Sequence, residues 1–326
     1  MSNLEAAPVE ETGSASPQQG VEVLRAREVP LGGPRAMRVR RTLPQRQRSL
    51  IGAWCFADHY GPRDVTRSSG MVVPPHPHTG LQTVSWLFSG EIEHRDSGGV
   101  HAYVRPGELN LMTAGAGICH SEVSTAAARV LHGVQLWVAL PDTARDTQRS
   151  FDHYVPQAIP VKGGSLRVFL GALEGAHSPV HTFSPLVGAQ LDIDPNADVT
   201  LTVNPKFEHG VLLDQGAVSV RDSPLEAGDL ACQAAGSTEL RISNTEAQPA
   251  RVLVLGGTPF TAEILMWWNF VARSHEEIVS YRGLWESEDS RFGAVLGYDG
   301  FPARLSAPPL PTTRLKPRPA PGGMEA

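Results

Sequence analysis

Four residues in two short stretches have the types and the spacing for metal chemistry. HPHTGLQ (76–82) carries His76 and His78, and GAGICHSE (115–122) carries His120 and Glu122. In an extended strand, residues i and i+2 project from the same face, so each pair would point its two side chains together, with Pro77 turned away. Two such pairs on facing strands would surround one cavity with three imidazole nitrogens and one carboxylate oxygen. That donor set suits a borderline divalent ion, Fe(II), Mn(II), Co(II), Ni(II), Cu(II) or Zn(II), and leaves two positions of an octahedron for substrate or dioxygen. From the residues alone two readings stay open. A lone HxH favours polar residues on an exposed strand, whereas a second pair after a glycine-rich turn favours a ligand set.

The elements that must position these pairs read as β-structure. Short runs rich in β-branched, aromatic and aliphatic residues (TVSWLF, VLHGVQLWVAL, SLRVFLGAL, DVTLTV, GVLLDQGAVSV, ELRIS, ARVLVLGG) are separated by Gly, Pro, Asp and Asn, the punctuation of a sandwich or barrel. RPGELNLMTAGAG (105–117) and LEAGDLACQAAGS (225–237) share one grammar of turn, acidic residue, apolar stretch and small-residue turn, which suggests two similar β-domains in tandem. Helical signal is confined to SHEEIVSYRGLW, with Ser274 as N-cap, Glu277 completing a capping box, and Ile278, Tyr281, Leu284 and Trp285 on one face. It reads as a clasp on the β-structure.

The motifs HPHTGLQTVSWLFSGEIEHRDSGG, RPGELNLMTAGAGICHSE and LHGVQLWVALP, with LIGAWCFADHYGP before them and WWNFVARSHEEI after, occur in the order of the pirin family, which the chain resembles over about residues 35 to 295. The resemblance implies an all-β bicupin: two tandem cupin β-barrels packed face to face, with a short C-terminal helical clasp. The expected divisions are a disordered tail at 1–20, a metal-binding N-terminal cupin at 21–150, a metal-free C-terminal cupin at 151–300 and a proline-rich flexible tail at 301–326. A single metal ion, Fe(II) foremost, is implied at His76, His78, His120 and Glu122. The implied activity is that of a quercetin 2,3-dioxygenase, opening a flavonol ring with O2 and releasing carbon monoxide, with Glu122 either fourth ligand or general base. The alternative within the family is an iron-loaded regulator whose redox state sets its affinity for a transcription factor or metabolic enzyme. A blander one is a cupin that has kept its fold and lost its chemistry. Family members usually carry Glu where this chain has Gln82. Alternation places Gln82 on the face of His76 and His78, where it can hydrogen-bond to ligands but cannot supply a carboxylate base.

Other residues narrow the function. The formal charge is 28 − 34 = −6, against direct nucleic-acid binding. The apolar runs are too short to span a membrane and the N-terminus lacks signal-peptide character, so a cytoplasmic monomer is expected. Cys55, Cys119 and Cys232 read as reduced thiols, Cys119 as a packing residue beside His120 with redox sensing as the lesser reading. His59, His94 and His101 show no patterned partner, His94 being the one near the pocket. Glu208 and His209 are adjacent and point to opposite faces. The arginines at 35, 38, 40, 41, 46 and 48 read as a solvated strand face. No phosphate-binding loop, nucleophile elbow, HExxH or GxGxxG is present.

Overall fold

The computed structural model describes residues 20–31, 37–66 and 70–317. The expected tail at 1–20 lies, Gly20 aside, outside the described residues, as does Arg35. The first twelve strands among the described residues are β1 (Val21–Leu24), β2 (Arg27–Leu31), β3 (Met37–Leu43), β4 (Trp54–Asp64), β5 (Val72–His78), β6 (Leu81–Ser89), β7 (Ile92–Asp96), β8 (His101–Val104), β9 (Leu109–Thr113), β10 (Ile118–Ser124), β11 (Val130–Ala139) and β12 (Ser150–Tyr154), of which β2 to β12 build the first barrel. One sheet runs β12-β9-β6-β11-β4-β3-β2 and faces a smaller one, β5-β10-β7-β8. In β7, Ile92, His94 and Asp96 are buried while Glu93 and Arg95 are not, the period-two pattern of a strand with one face inside.

The second barrel repeats the plan. Its large sheet orders β1, Leu230–Gln233, Glu208–Gln215, Ala250–Gly257, Leu186–Ile193, Gly164–Leu170 and Ile159–Val161, opposite a four-stranded sheet. The two segments of shared grammar occupy equivalent places. Glu108 N bonds Arg105 O at 3.2 Å, Asp229 N bonds Glu226 O at 2.9 Å, and each turn opens onto a sheet strand. The two large sheets pack face to face through one apolar core that draws on both barrels, including Trp54, Trp86, Leu136, Phe169, Leu212 and Leu253. Two indoles bind across it: Trp86 Nε1 donates to Gln190 Oε1 at 2.9 Å, and Trp54 Nε1 to the carbonyls of Val187 and Gly256.

Strands cross the expected division at residue 150 in both directions. β1 pairs with Leu230–Gln233 of the second barrel, and β12 pairs with β9 of the first. Beyond the second barrel the chain returns to the first through a hairpin, Leu265–Trp267 with Phe270–Ala272, and helix α1 (His275–Glu286). Ser274 Oγ accepts from Glu277 N as a cap should, but the Glu277 carboxylate accepts from Arg273 N and binds Arg145 where a full capping box would return it to Ser274. Ile278, Tyr281 and Trp285 pack with Cys119, Trp267 and Phe270.

The flexible tail expected from 301 is corrected over its described part, 301–317. Leu305, Ala307 and Leu315 are buried against the helix, Trp285 Nε1 donates to Leu305 O, and Leu305 N donates to Pro75 O on β5. Prolines restrict the undocked segment too, which lowers the entropy lost on docking. The solvated arginine face is corrected at Arg41 and Arg48, while Arg38 and Arg46 are exposed as expected. Arg41 is buried in a bidentate pair with Asp58 beneath Phe56, and Arg48 joins Glu22 to Glu208.

Candidate metal centre

β5 and β10 run antiparallel with His76 opposite His120, Pro77 opposite Cys119 and His78 opposite Ile118. The register then shifts between His120 and Glu122, so that Glu122 faces Val73. Pro74 and Pro75 fall in that interval; lacking N–H groups they cannot continue the ladder, and a bulge results. Both prolines offer carbonyls instead, Pro74 O to His76 Nδ1 at 2.8 Å and Pro75 O to Leu305 N at 2.8 Å. The turn after β5 is equally constrained. Gly80 has φ +68°, and a Cβ there would lie 2.3 Å from Val271 O of the C-terminal hairpin.

The structure brings His76, His78 and His120 together, with donor atoms within 4.8 Å of one another and all three rings buried. His78 Nε2 and His120 Nε2 are 3.1 Å apart, and His76 Nε2 has no hydrogen-bond partner among the described residues. The Nδ1 atoms of His76 and His78 face the carbonyl oxygens of Pro74 and Asn269, which only accept, so both rings carry their proton on Nδ1 and turn a bare Nε2 inward. Burial holds all three imidazoles well below their ordinary pKa, with neighbouring rings adding to the effect at His76 and His120. Neutral imidazoles with converging lone pairs fit a divalent ion of the nitrogen-preferring kind.

Glu122 stands beside this triad. Its carboxylate shares a 4.8 Å group with His120 and His94, not with His76 and His78. Ser85 Oγ lies 3.2 Å from Glu122 Oε1 and 2.9 Å from Gln135 Oε1. Trp137 sets its ring edge-on to His78, centroids 5.1 Å apart.

Gln82 is placed elsewhere. The turn at Thr79–Gly80 resets the alternation, leaving Gln82 on the face of β6 opposite Ser85, where its Nε2 donates to Thr113 Oγ1 at 2.9 Å. His94, read from the sequence as near the pocket without a partner, is in the site: it lies opposite Glu122 on β7, its Nδ1 3.4 Å from His120 Nδ1 and its Nε2 3.3 Å from Asp96 Oδ2. The signal was present, since His94 and Asp96 form a third i, i+2 pair. Cys119 packs with Trp267 and Phe270, and burial pushes its thiol up to about 12.

His59 also has partners that no local pattern shows. It forms a buried cluster with His132 on β11 and Asp214 of the second barrel. Of the adjacent pair in that barrel, Glu208 accepts from Gly52 N and Arg48, and burial lowers His209 to about 4. Among the described residues no helix is long and apolar enough to cross a membrane.

Two face-to-face cupin barrels, with the histidine cluster inside the first, define a bicupin with a metal-binding type of site. The pirin family model matches residues 36–138 and that of the pirin C-terminal cupin domain residues 188–293. The chain belongs to the pirin family. A protein of Pseudomonas aeruginosa, provisionally named a quercetin 2,3-dioxygenase, is 44% identical over 88% of this chain and 89% of its own length. A pirin-like protein of Caulobacter vibrioides is 34% identical over 76% of this chain and 88% of its own. The crystal structure of a quercetin 2,3-dioxygenase from Acinetobacter baumannii superposes with a TM-score of 0.85 at 38% identity, covering 90% of this chain and 97% of that one.

Proposed function

We propose that this protein is a metal-dependent, quercetinase-type 2,3-dioxygenase that cleaves a flavonol ring with O2. The observation that carries the reading is the convergence of three neutral, inward-facing Nε2 atoms from His76, His78 and His120 inside a closed barrel. The names of the Pseudomonas and Acinetobacter relatives support the same substrate class.

When bound, the ion, proposed as Fe(II), supplies the Lewis acidity that makes a flavonol hydroxyl acidic. His76, His78 and His120 hold it, and two of their rings are fixed by carbonyls against rotation. Glu122, outside the histidine triad and hydrogen-bonded by Ser85, is positioned to take the hydroxyl proton. One hydroxyl proton cannot serve both Glu122 and Gln135; it goes to Glu122 when the Gln135 amide presents its N–H to Ser85.

The test is anaerobic loading with Fe(II), addition of quercetin and then of O2, with flavonol absorbance and carbon monoxide followed together. Turnover that disappears in His76→Ala is expected. One equivalent of bound metal with no loss of flavonol would overturn the assignment.

A further inference from the structure

His120 differs from the other two histidines in what holds it. Among the described residues no carbonyl faces its Nδ1; the atom there is Nδ1 of His94, 3.4 Å away, while its Nε2 joins the cluster at 3.1 Å from His78 Nε2. For His120 to present a bare Nε2 as its neighbours do, its proton must sit on Nδ1, and the lone pair of His94 Nδ1 must accept it. The His94 proton then sits on Nε2, facing Asp96 Oδ2 at 3.3 Å. Asp96 is fixed in turn. Its Oδ1 accepts from Gly98 N at 2.7 Å and Val100 N at 3.1 Å in the β7–β8 turn. All three residues are buried, and the strand register sets Asp96 opposite His120 and His94 opposite Glu122.

We propose that His94, backed by Asp96, is a positioning residue that selects the metal-binding tautomer of His120. The proposal rests on the reading of His76, His78 and His120 as the metal triad. It assigns His94 no direct bond to the ion. Such outer partners typically change metal affinity by about 10–100-fold.

The discriminating variant is Asp96→Asn. It keeps an acceptor for the Gly98 and Val100 amides but turns an NH2 toward His94 Nε2–H. Two donors then meet, His94 must move its proton to Nδ1, and that N–H confronts the N–H of His120. Co(II) binding would be measured by competition with a chromophoric chelator for the wild type, Asp96→Asn, His94→Leu, His94→Gln and the exposed-strand control His101→Gln, with the thermal midpoint of each apo form alongside.

The expected result is about 10–100-fold weaker Co(II) binding in Asp96→Asn and His94→Leu. Binding should be partly restored in His94→Gln, whose amide can both accept and donate, and unchanged in His101→Gln. Unchanged affinity in folded Asp96→Asn and His94→Leu would overturn the proposal and leave the triad standing. Complete loss of Co(II) binding in His94→Leu would overturn it too, making His94 a ligand. A wild type that binds no Co(II) would remove the triad reading itself, and this proposal with it.

Discussion

His78 donates from Nδ1 to the main-chain oxygen of Asn269, 191 positions later in the chain, at 3.0 Å. Asn269 is in the turn of the hairpin that follows the second barrel. That turn is secured to the first barrel by Val271 N bonding Thr79 O at 3.1 Å and by the close approach at Gly80. Trp268, next to Asn269, has φ +53°, a conformation that costs a bulky residue on the order of 1–3 kcal/mol and persists only where its surroundings enforce it. Here the buried cluster of Trp267, Phe270, Trp285 and Phe292 enforces it. The candidate metal centre is therefore built from the first barrel together with the hairpin that follows the second.

Shortening the chain tests that dependence. A protein ended after Gly300 loses Leu305, Ala307 and Leu315 from the helix, and the Leu305 N–H from Pro75 O next to His76. Burying two leucines contributes on the order of 3 kcal/mol or more. A lower unfolding midpoint in denaturant is expected, with weaker metal binding than the full chain. Unchanged metal affinity would show that the tail supports only the helix.

The histidine triad predicts metal-linked stability. A ligand at about 100 times its Kd raises stability by about 2.7 kcal/mol if it binds only the folded state. Fe(II) or Co(II) at that excess should raise the wild-type midpoint and leave His76→Ala and His120→Ala where they are. Equal shifts in all three would place the ion elsewhere.

Glu122 separates from the ligands by a paired measurement. Because its carboxylate, among the described residues, groups with His120 and His94 and not with His76 and His78, Glu122→Gln should keep metal affinity within about threefold while turnover falls about 10²–10⁴-fold, the range for loss of a general base. A matching fall in metal content would show a ligand.

How much of this could be read in the chain depends on how local each signal is. His76, His78, His120 and Glu122 come from two dipeptide-scale patterns, and strand geometry alone paired them. His94 and Asp96 follow the same i, i+2 pattern on β7, a signal as local as the other two. Simple alternation from His78 puts Gln82 on the wrong face because the turn at Gly80 resets the parity. The crossing of β1 and the docking of Leu305 and Leu315 depend on partners far away in the sequence, and so does the buried pair of Arg41 and Asp58. No local periodicity announces them.

The least local feature gives the last prediction. Asp214 of the second barrel accepts at Oδ1 from Nε2 of both His59 and His132, each at 2.6 Å, and at Oδ2 from Arg251 Nε at 2.7 Å. These lengths are those of charge-assisted hydrogen bonds, shorter than the 3.1 Å between the Nε2 atoms of His78 and His120. The cluster thus reads as a clasp between the barrels. Burial lowers the pKa of His59, and the Arg40 charge adds to that. Burial opposes ionisation of Asp214, but the bonds from His132 and His59 prevail and hold it well below the carboxylate range. Unfolded, His59 takes a proton near pH 6.5 that the folded protein refuses, so its contribution is present above about pH 6.5 and lost as the pH falls below it. Asp214 acts with the same sign lower down, its contribution lost as the pH falls below about 3.9. The buried metal-site histidines also destabilise the apo protein in acid, so the difference between variants is the readout. Stability of apo wild type should fall between pH 7 and 5 more steeply than that of apo His59→Gln, by at most about 1.4 kcal/mol per pH unit for one proton. Parallel slopes would show that His59 titrates alike in the folded and unfolded chains, and the clasp would not be proton-linked.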